Sequence, residues 1–143
     1  MSDHSYDDDA AMTVVRLAEE LVGEGAYGGA WIDRTLAQPV LGVALVAPQA
    51  DHVTSIREAA RRAGWSITID LVKYNRAKLI SFYDGLDGPS GNSVVSFGWD
   101  PRLNKVLVQL SAPDDAAISY FREHIPEDAL LFRLVPWRAV ATD

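Results

Sequence analysis

The chain has 143 residues, a formal net charge of −7 at pH 7 and no cysteine. With 48% hydrophobic and 23% charged residues, the composition is that of a globular protein, and a chain of this length forms one domain or two very small ones. The acidic balance argues against a nucleic-acid or anionic-membrane partner, since either requires a basic surface. The lack of cysteine excludes disulfides, thiolate zinc sites and a cysteine nucleophile.

The N-terminal residues and the apolar runs bear on localisation. Residues 1–9 are predicted to be a disordered acidic leader, because Asp7, Asp8 and Asp9 form a run of like charge. No basic stretch followed by an apolar one marks a signal peptide, and no apolar run approaches the ~20 residues of a membrane span. We therefore expect a cytoplasmic protein without a membrane partner, or a secreted one if a targeting segment has been removed.

The hydrophobic spacing of the first half predicts five elements. They are a helix over 10–25, strands at 30–34 and 40–46, a helix over 50–63 and an alternating strand at 65–73. A further helix, which Asn75 can cap, extends to Leu86 and would link the two halves of the chain.

The second half begins with a hairpin whose turn chemistry can be read from the residues. Two alternating runs, 94–99 and 105–110, flank the turn. Asp100 suits the first position of a type I turn, and Pro101 presets φ for the second. Asn104 tolerates the left-handed conformation that returns the chain. The sequence therefore predicts an antiparallel hairpin here.

A helix and a last strand are predicted after the hairpin. Pro113 suits the first turn of a helix, and Asp114 and Asp115 favour the positive end of its dipole. Pro126 would end this helix, and alternating apolar residues at 130–134 indicate a strand.

Comparison of the chain with itself at an offset of 65 residues indicates an internal repeat. The matching hydrophobic pairs are Leu41/Val106, Val43/Val108, Leu45/Leu110, Ile56/Phe121, Ile67/Phe132 and Ile69/Leu134. Because the pattern and the punctuation agree without a gap, we infer two strand–strand–helix–strand halves. Each half is too small to cover both faces of a sheet, so helices should cover one face only.

These patterns predict an α+β fold, namely a two-layer α/β sandwich built from two ββαβ-like halves joined by a helix, with mixed sheets. The predicted segments are a leader at 1–9, a first half with the N-terminal and linking helices at 10–86, a second half at 87–136, and a C-terminal tail at 137–143.

Four stretches carry a resemblance to a known family. They are Tyr27–Asp33, Val40–Val46, Val72–Asn75 followed by Leu79, and Trp99–Asn104 with the valine-rich strand after it. In this order they resemble the pro-region of alpha-lytic protease and streptogrisin-type chymotrypsin-like serine proteases, from about residue 25 to about residue 136. No protease sequence follows in this chain, so the resemblance is to a stand-alone pro-region.

In that family the pro-region assists folding of the protease and then inhibits it, by pairing a sheet edge with a protease hairpin and placing its tail in the active site. The resemblance therefore implies a non-enzymatic protein-binding domain, acting in trans as an inhibitor or folding helper of a serine protease, without a cofactor. Main-chain bonds would supply affinity and alternate side chains specificity. The protein-binding residues implied are Val106, Val108, Arg133, Trp137, Arg138, Ala139 and Val140.

Two other interpretations stay open. The first is a pro-region-like domain with no protease partner, which acts in self-association as a homo-dimer or in an unrelated protein interaction. The second is a small hydrolase, for which His52, Ser66 and Asp70 could be assembled into a triad, although no nucleophile-elbow pattern surrounds any serine. Together with His4 and His124, His52 lacks the spacing of a zinc site. We expect no catalytic residue and no metal.

Overall fold

The computed structural model describes residues 7–88 and 93–136. The chain divides between Ala77 and Lys78 into two compact units. Over the described residues it contains four α-helices and two mixed three-stranded sheets. The predicted α+β class and the two ββαβ halves are therefore confirmed.

The first unit contains the N-terminal helix and the first ββαβ motif. Its elements are α1 (Asp8–Val22), β1 (Tyr27–Asp33), β2 (Val40–Leu45), α2 (Ala50–Arg62) and β3 (Ser66–Leu71), and α3 (Arg76–Tyr83) begins in it. β1 pairs with β2 antiparallel, and β2 pairs with β3 parallel. The apolar stripes of α1 and α2 pack with the inward side chains of β2 in one hydrophobic core.

Helix α1 begins earlier than predicted, so the acidic run at 7–9 is not a solvated leader. The Asp7 carboxylate accepts the N–H of Asp9 at 2.9 Å as an N-cap, and Asp8 and Asp9 form an acidic first turn, where the helix dipole favours negative charge. The indole Nε1–H of Trp65 donates to the carbonyl of Asp7 at 3.1 Å. This contact, 58 residues away in sequence, anchors the helix start to the sheet.

The boundary between the two units lies within α3, between Ala77 and Lys78, and not after residue 86 as predicted. The two ends of this helix therefore belong to different units. The Arg76 guanidinium donates to Glu19 at 2.6 Å and to Glu24, and lies 4.8 Å from the centre of the Tyr27 ring. Burial, together with the nearby Glu19 carboxylate, raises the pKa of Tyr27. At the other end of α3, Tyr83 packs edge-on against Phe97 of the second unit.

The second unit repeats the ββαβ motif. Its elements are β4 (Val94–Asp100), β5 (Lys105–Leu110), α4 (Asp115–His124), a 3₁₀ turn (Glu127–Ala129) and β6 (Leu130–Leu134). The Asp114 carboxylate accepts the N–H of Ala117 at 3.0 Å and caps α4, as the sequence predicts. Phe121 of α4 is fully buried and packs against the rings of Phe97 and Phe132, one from each outer strand.

The turn between β4 and β5 has the predicted chemistry. The Asp100 carboxylate accepts the N–H groups of Arg102 and Leu103, both at 3.0 Å. Asn104 has φ 56° and donates its N–H to the Asp100 carbonyl at 2.9 Å. Asp33 has the same role at the end of β1, where its carboxylate accepts the N–H of Thr35.

Replacement of Asp100 should therefore cost stability through the turn. Asp100→Ala removes the acceptor of both N–H groups, and we expect the free energy of unfolding to fall by about 1 kcal/mol. Asp100→Asn keeps a side-chain carbonyl at the same place and is the matched control, with a smaller loss. Urea unfolding of the three proteins measures this, and equal stability of Asp100→Ala and wild type would contradict it.

The prediction that the repeat has no gap is wrong in the outer strands. Ile67 pairs with Leu41, and Leu130 pairs with Val106. Ile67 therefore corresponds to Leu130 and not, as an offset of 65 requires, to Phe132. The second unit is two residues shorter ahead of its last strand. A shift of two residues leaves each side chain on the same face, so the hydrophobic pattern does not reveal it.

Candidate protein-binding edges

The outer strands of the two sheets differ in how well they could accept another strand. In the described sheets the order is β1-β2-β3 and β4-β5-β6, so each outer strand has one free edge. The register shifts between Tyr27 and Gly29 in β1 and between Val94 and Ser96 in β4. Such bulges twist an edge and hinder further pairing. β3 and β6 have unbroken parallel registers and are the better candidates.

The backbone of β6 presents hydrogen-bonding groups at its free edge. The N–H of Val135 donates to the carbonyl of Leu110 at 2.8 Å, so the backbone N–H of Val135 points towards β5. Backbone groups alternate in direction along a strand. The backbone N–H and C=O of Arg133 therefore point towards β5 as well. Phe132 and Leu134 therefore direct both their N–H and C=O groups outward.

The side chains of β6 add an apolar and a charged feature to this edge. Leu134 is 59% exposed at the end of the strand. Arg133 is exposed, and within 7–88 and 93–136 no ion pair or side-chain hydrogen bond involves it. The N–H of Leu130 donates to the carbonyl of Glu127, so the usable edge begins after this group.

Two residues that the sequence analysis assigned to partner binding are core residues. Val106 and Val108 are 0% exposed, and β5 is the central strand, paired with β4 and β6. Neither valine offers a side chain or a backbone group to a partner. Arg133 lies on the candidate edge. Trp137, Arg138, Ala139 and Val140 lie outside the described residues.

The edge of β3 has the same construction in the first unit. The N–H of Val72 donates to the carbonyl of Leu45 at 2.9 Å. The backbone groups of Val72 and Asp70 therefore point towards β2. Ile69 and Leu71 therefore direct their backbone groups outward. Leu71 is 73% exposed, and the Asp70 side chain makes no ion pair with another described residue.

Ser66 and Asp70, two members of the possible catalytic triad, do not lie close together. Ser66 and Asp70 are four residues apart on one strand, a span of about 13 Å. A ring nitrogen of His124 lies 2.8 Å from the carbonyl of Tyr120 in its own helix. Among the described residues, no group of three or more His, Asp or Glu side chains could hold a metal ion. None of the described helices is long and apolar enough to cross a membrane.

No protein-family model and no curated protein matches the chain. The features that bear on function are therefore the geometry of the sheet edges and the resemblance of Tyr27–Asp33 and Trp99–Asn104 to protease pro-regions. Sequence reasoning found Arg133 but missed the edge of β3. The sequence suggested Asp70 only as a possible triad member. The ungapped offset of 65 aligns it with Val135, whereas the strand pairing makes it correspond to Arg133.

Proposed function

We propose that this chain is a non-enzymatic protein-binding domain that pairs an extended segment of its partner with the free edge of β6. The observation that carries the proposal is the construction of this edge. It has no bulge, its outward N–H and C=O groups belong to Phe132 and Leu134, and its end is marked by the exposed Leu134. An added strand would gain main-chain hydrogen bonds there, while Arg133 and Leu134 would select its side chains.

The partner class in this proposal is a chymotrypsin-like serine protease. The support is the resemblance of Tyr27–Asp33 and Trp99–Asn104 to the pro-regions of such enzymes, together with a ββαβ unit whose β6 edge has no bulge. The domain would act in trans, as an inhibitor or folding helper. In this proposal Trp137, Arg138, Ala139 and Val140 of the C-terminal tail also bind the protease.

A proline at one edge position tests the proposal. Leu134→Pro removes an N–H that points to the free edge, without removing a bond to β5. Leu71 has the corresponding place in β3, so Leu71→Pro is the matched control. Wild type and Leu71→Pro should inhibit a protease of this class at near-stoichiometric concentration, and Leu134→Pro should inhibit about tenfold less well.

Steady-state inhibition assays on a panel of such proteases give the measurement, with circular dichroism to verify folding. Deletion of residues 137–143 should also weaken inhibition. The proposal is wrong if no protease of the panel is inhibited at micromolar concentration, or if Leu134→Pro inhibits as well as wild type while Leu71→Pro does too.

A further inference from the structure

The edges of β3 and β6 carry opposite charges at corresponding positions. Asp70 pairs with Ala44 of β2, and Arg133 pairs with Gln109 of β5. Ala44 and Gln109 correspond in the two units, so Asp70 and Arg133 do as well. Neither makes an ion pair with a described residue. The internal repeat thus presents one acid and one base at the same place on two otherwise similar edges.

The exposed apolar side chains follow the same correspondence. Leu71 and Leu134 are 73% and 59% exposed, the highest values among the large hydrophobic residues in the described ranges. Leu71 pairs with Leu45, and Leu134 pairs with Leu110, which again are corresponding residues. Each free edge therefore ends in an uncovered leucine, and burial of these side chains would favour an additional strand.

We propose that β3 of one copy of this chain pairs antiparallel with β6 of a second copy, in a register that places Asp70 opposite Arg133. In this register Ile69 is opposite Leu134, and Leu71 is opposite Phe132. All four of these flanking residues direct their N–H and C=O groups to the free edge, so both pairs would exchange two backbone hydrogen bonds.

The same register puts the charged side chains at closest approach. Asp70 and Arg133 would form the non-hydrogen-bonded pair between the two bonded ones, where opposite Cα atoms are about 4.5 Å apart. Both side chains lie on the sheet face that the helices do not cover, and the leucines lie on the other face. Backbone direction, apolar contact and charge therefore agree on one register.

The charges also disfavour the competing homotypic pairings in this register. The same register applied to two β3 edges would bring Asp70 opposite Asp70, and applied to two β6 edges it would bring Arg133 opposite Arg133. Like charges directly opposite each other destabilise a strand pair, so repulsion selects the β3–β6 combination. Each copy uses one edge of each kind, and the association is head-to-tail.

This inference goes beyond the proposed protein-binding function and does not depend on a protease partner. The two share only the β6 edge, so a second copy on β6 would exclude a partner strand. They can fail separately. Leu71→Pro should abolish self-association but leave protease inhibition intact, whereas Leu134→Pro should weaken both.

Charge reversal on the full chain tests the pairing. Sedimentation velocity should show wild type associating as its concentration rises, while Arg133→Glu and Asp70→Arg each sediment mainly as a monomer at the concentration where half of wild type is associated. Reversal of one charge should raise the dissociation constant about tenfold. Arg57→Glu, at an exposed position of α2, makes the same change in net charge as Arg133→Glu and should associate as wild type does.

Mixing the two reversed variants gives the decisive measurement. An equimolar mixture of Asp70→Arg and Arg133→Glu brings opposite charges together at both kinds of contact, so association should return although each variant alone is monomeric. Restored association also shows that both variants are folded. The proposal is overturned if wild type remains monomeric at the highest concentration, if either reversal leaves association unchanged, or if the mixture stays monomeric while circular dichroism shows both variants folded.

Discussion

Phe121→Ala should strongly destabilise the second unit and leave the stability of the first unit unchanged. Phe121 is fully buried, and its ring packs against the rings of Phe97, Tyr120 and Phe132. Truncation of a buried phenylalanine to alanine costs about 3–5 kcal/mol, because it removes apolar contacts and leaves a cavity. A unit of this size has a free energy of unfolding of about 3–9 kcal/mol, so the loss removes much of its stability.

Ile56→Ala is the matched control in the first unit. Ile56 corresponds to Phe121 in the repeat and is also 0% exposed, within a core formed by α1, α2 and the inner face of β2. Its truncation should cost about 2–5 kcal/mol. Amide hydrogen exchange locates the effect in each variant. Phe121→Ala should lose protection in 94–134 and Ile56→Ala in 8–71. Loss across both units in both variants would contradict this prediction.

Elements governed by local chemistry could be predicted from the sequence. The turn at Asp100 depends on the φ preference of Pro101 and on a carboxylate within reach of two N–H groups, and all of these residues are adjacent. The cap at Asp114 is equally local. Binary hydrophobic pattern was sufficient to find the strands and to divide the chain into two ββαβ motifs, but β1 begins at Tyr27, three residues before the predicted start at 30.

Features that depend on pairing between strands could not be predicted in this way. The bulges at the start of β1 and β4 lie at the same place in both sheets, yet only β1 has a glycine pair there to indicate one. The valines of β5 matched the resembling family but are in the central strand. Which edge is open follows from hydrogen bonding, and a pattern of period two carries no information about it.

The acidic run at 7–9 failed as a predicted leader for a related reason. Its composition is that of a solvated tail, but a helix tolerates acids at its first turn. The distant Trp65 indole decides between the two, because it donates a hydrogen bond to the carbonyl of Asp7. A tertiary contact of this kind overrides composition and has no signal in the local sequence.

The two proposals assign different consequences to the one edge of β6. If the chain binds a partner strand there, self-association occupies the β6 edge with a second copy and blocks the partner. An inhibition curve for wild type should then weaken as the total concentration of the chain rises into the range where sedimentation shows association. Leu71→Pro, which keeps β6 free, should show no such weakening.

Trp31→Gly combined with Gly42→Leu should give the first unit the packing arrangement that the second unit has at the corresponding pair of positions. Trp31 pairs with Gly42 on the first sheet, and a Cβ atom added at Gly42 would overlap Cε2 and Cζ2 of the indole. In the second sheet Gly98 pairs with Leu107, so there the large residue is on the central strand and the glycine on the outer one. At corresponding positions, the first sheet therefore has its large residue on the outer strand, whereas the second sheet has it on the central strand.

Gly42→Leu alone should destabilise the first unit by about 3 kcal/mol, because the leucine and the indole cannot occupy the same space. Trp31→Gly alone should also destabilise it, since it uncovers the strand and adds a flexible residue. The double variant has the arrangement of Gly98 and Leu107, and should be more stable than the sum of the single changes by about 1–3 kcal/mol. A double-mutant cycle by urea unfolding measures this coupling. Additive losses would mean that the indole does not lie over Gly42 in solution, and that the two sheets are not packed by the same rule.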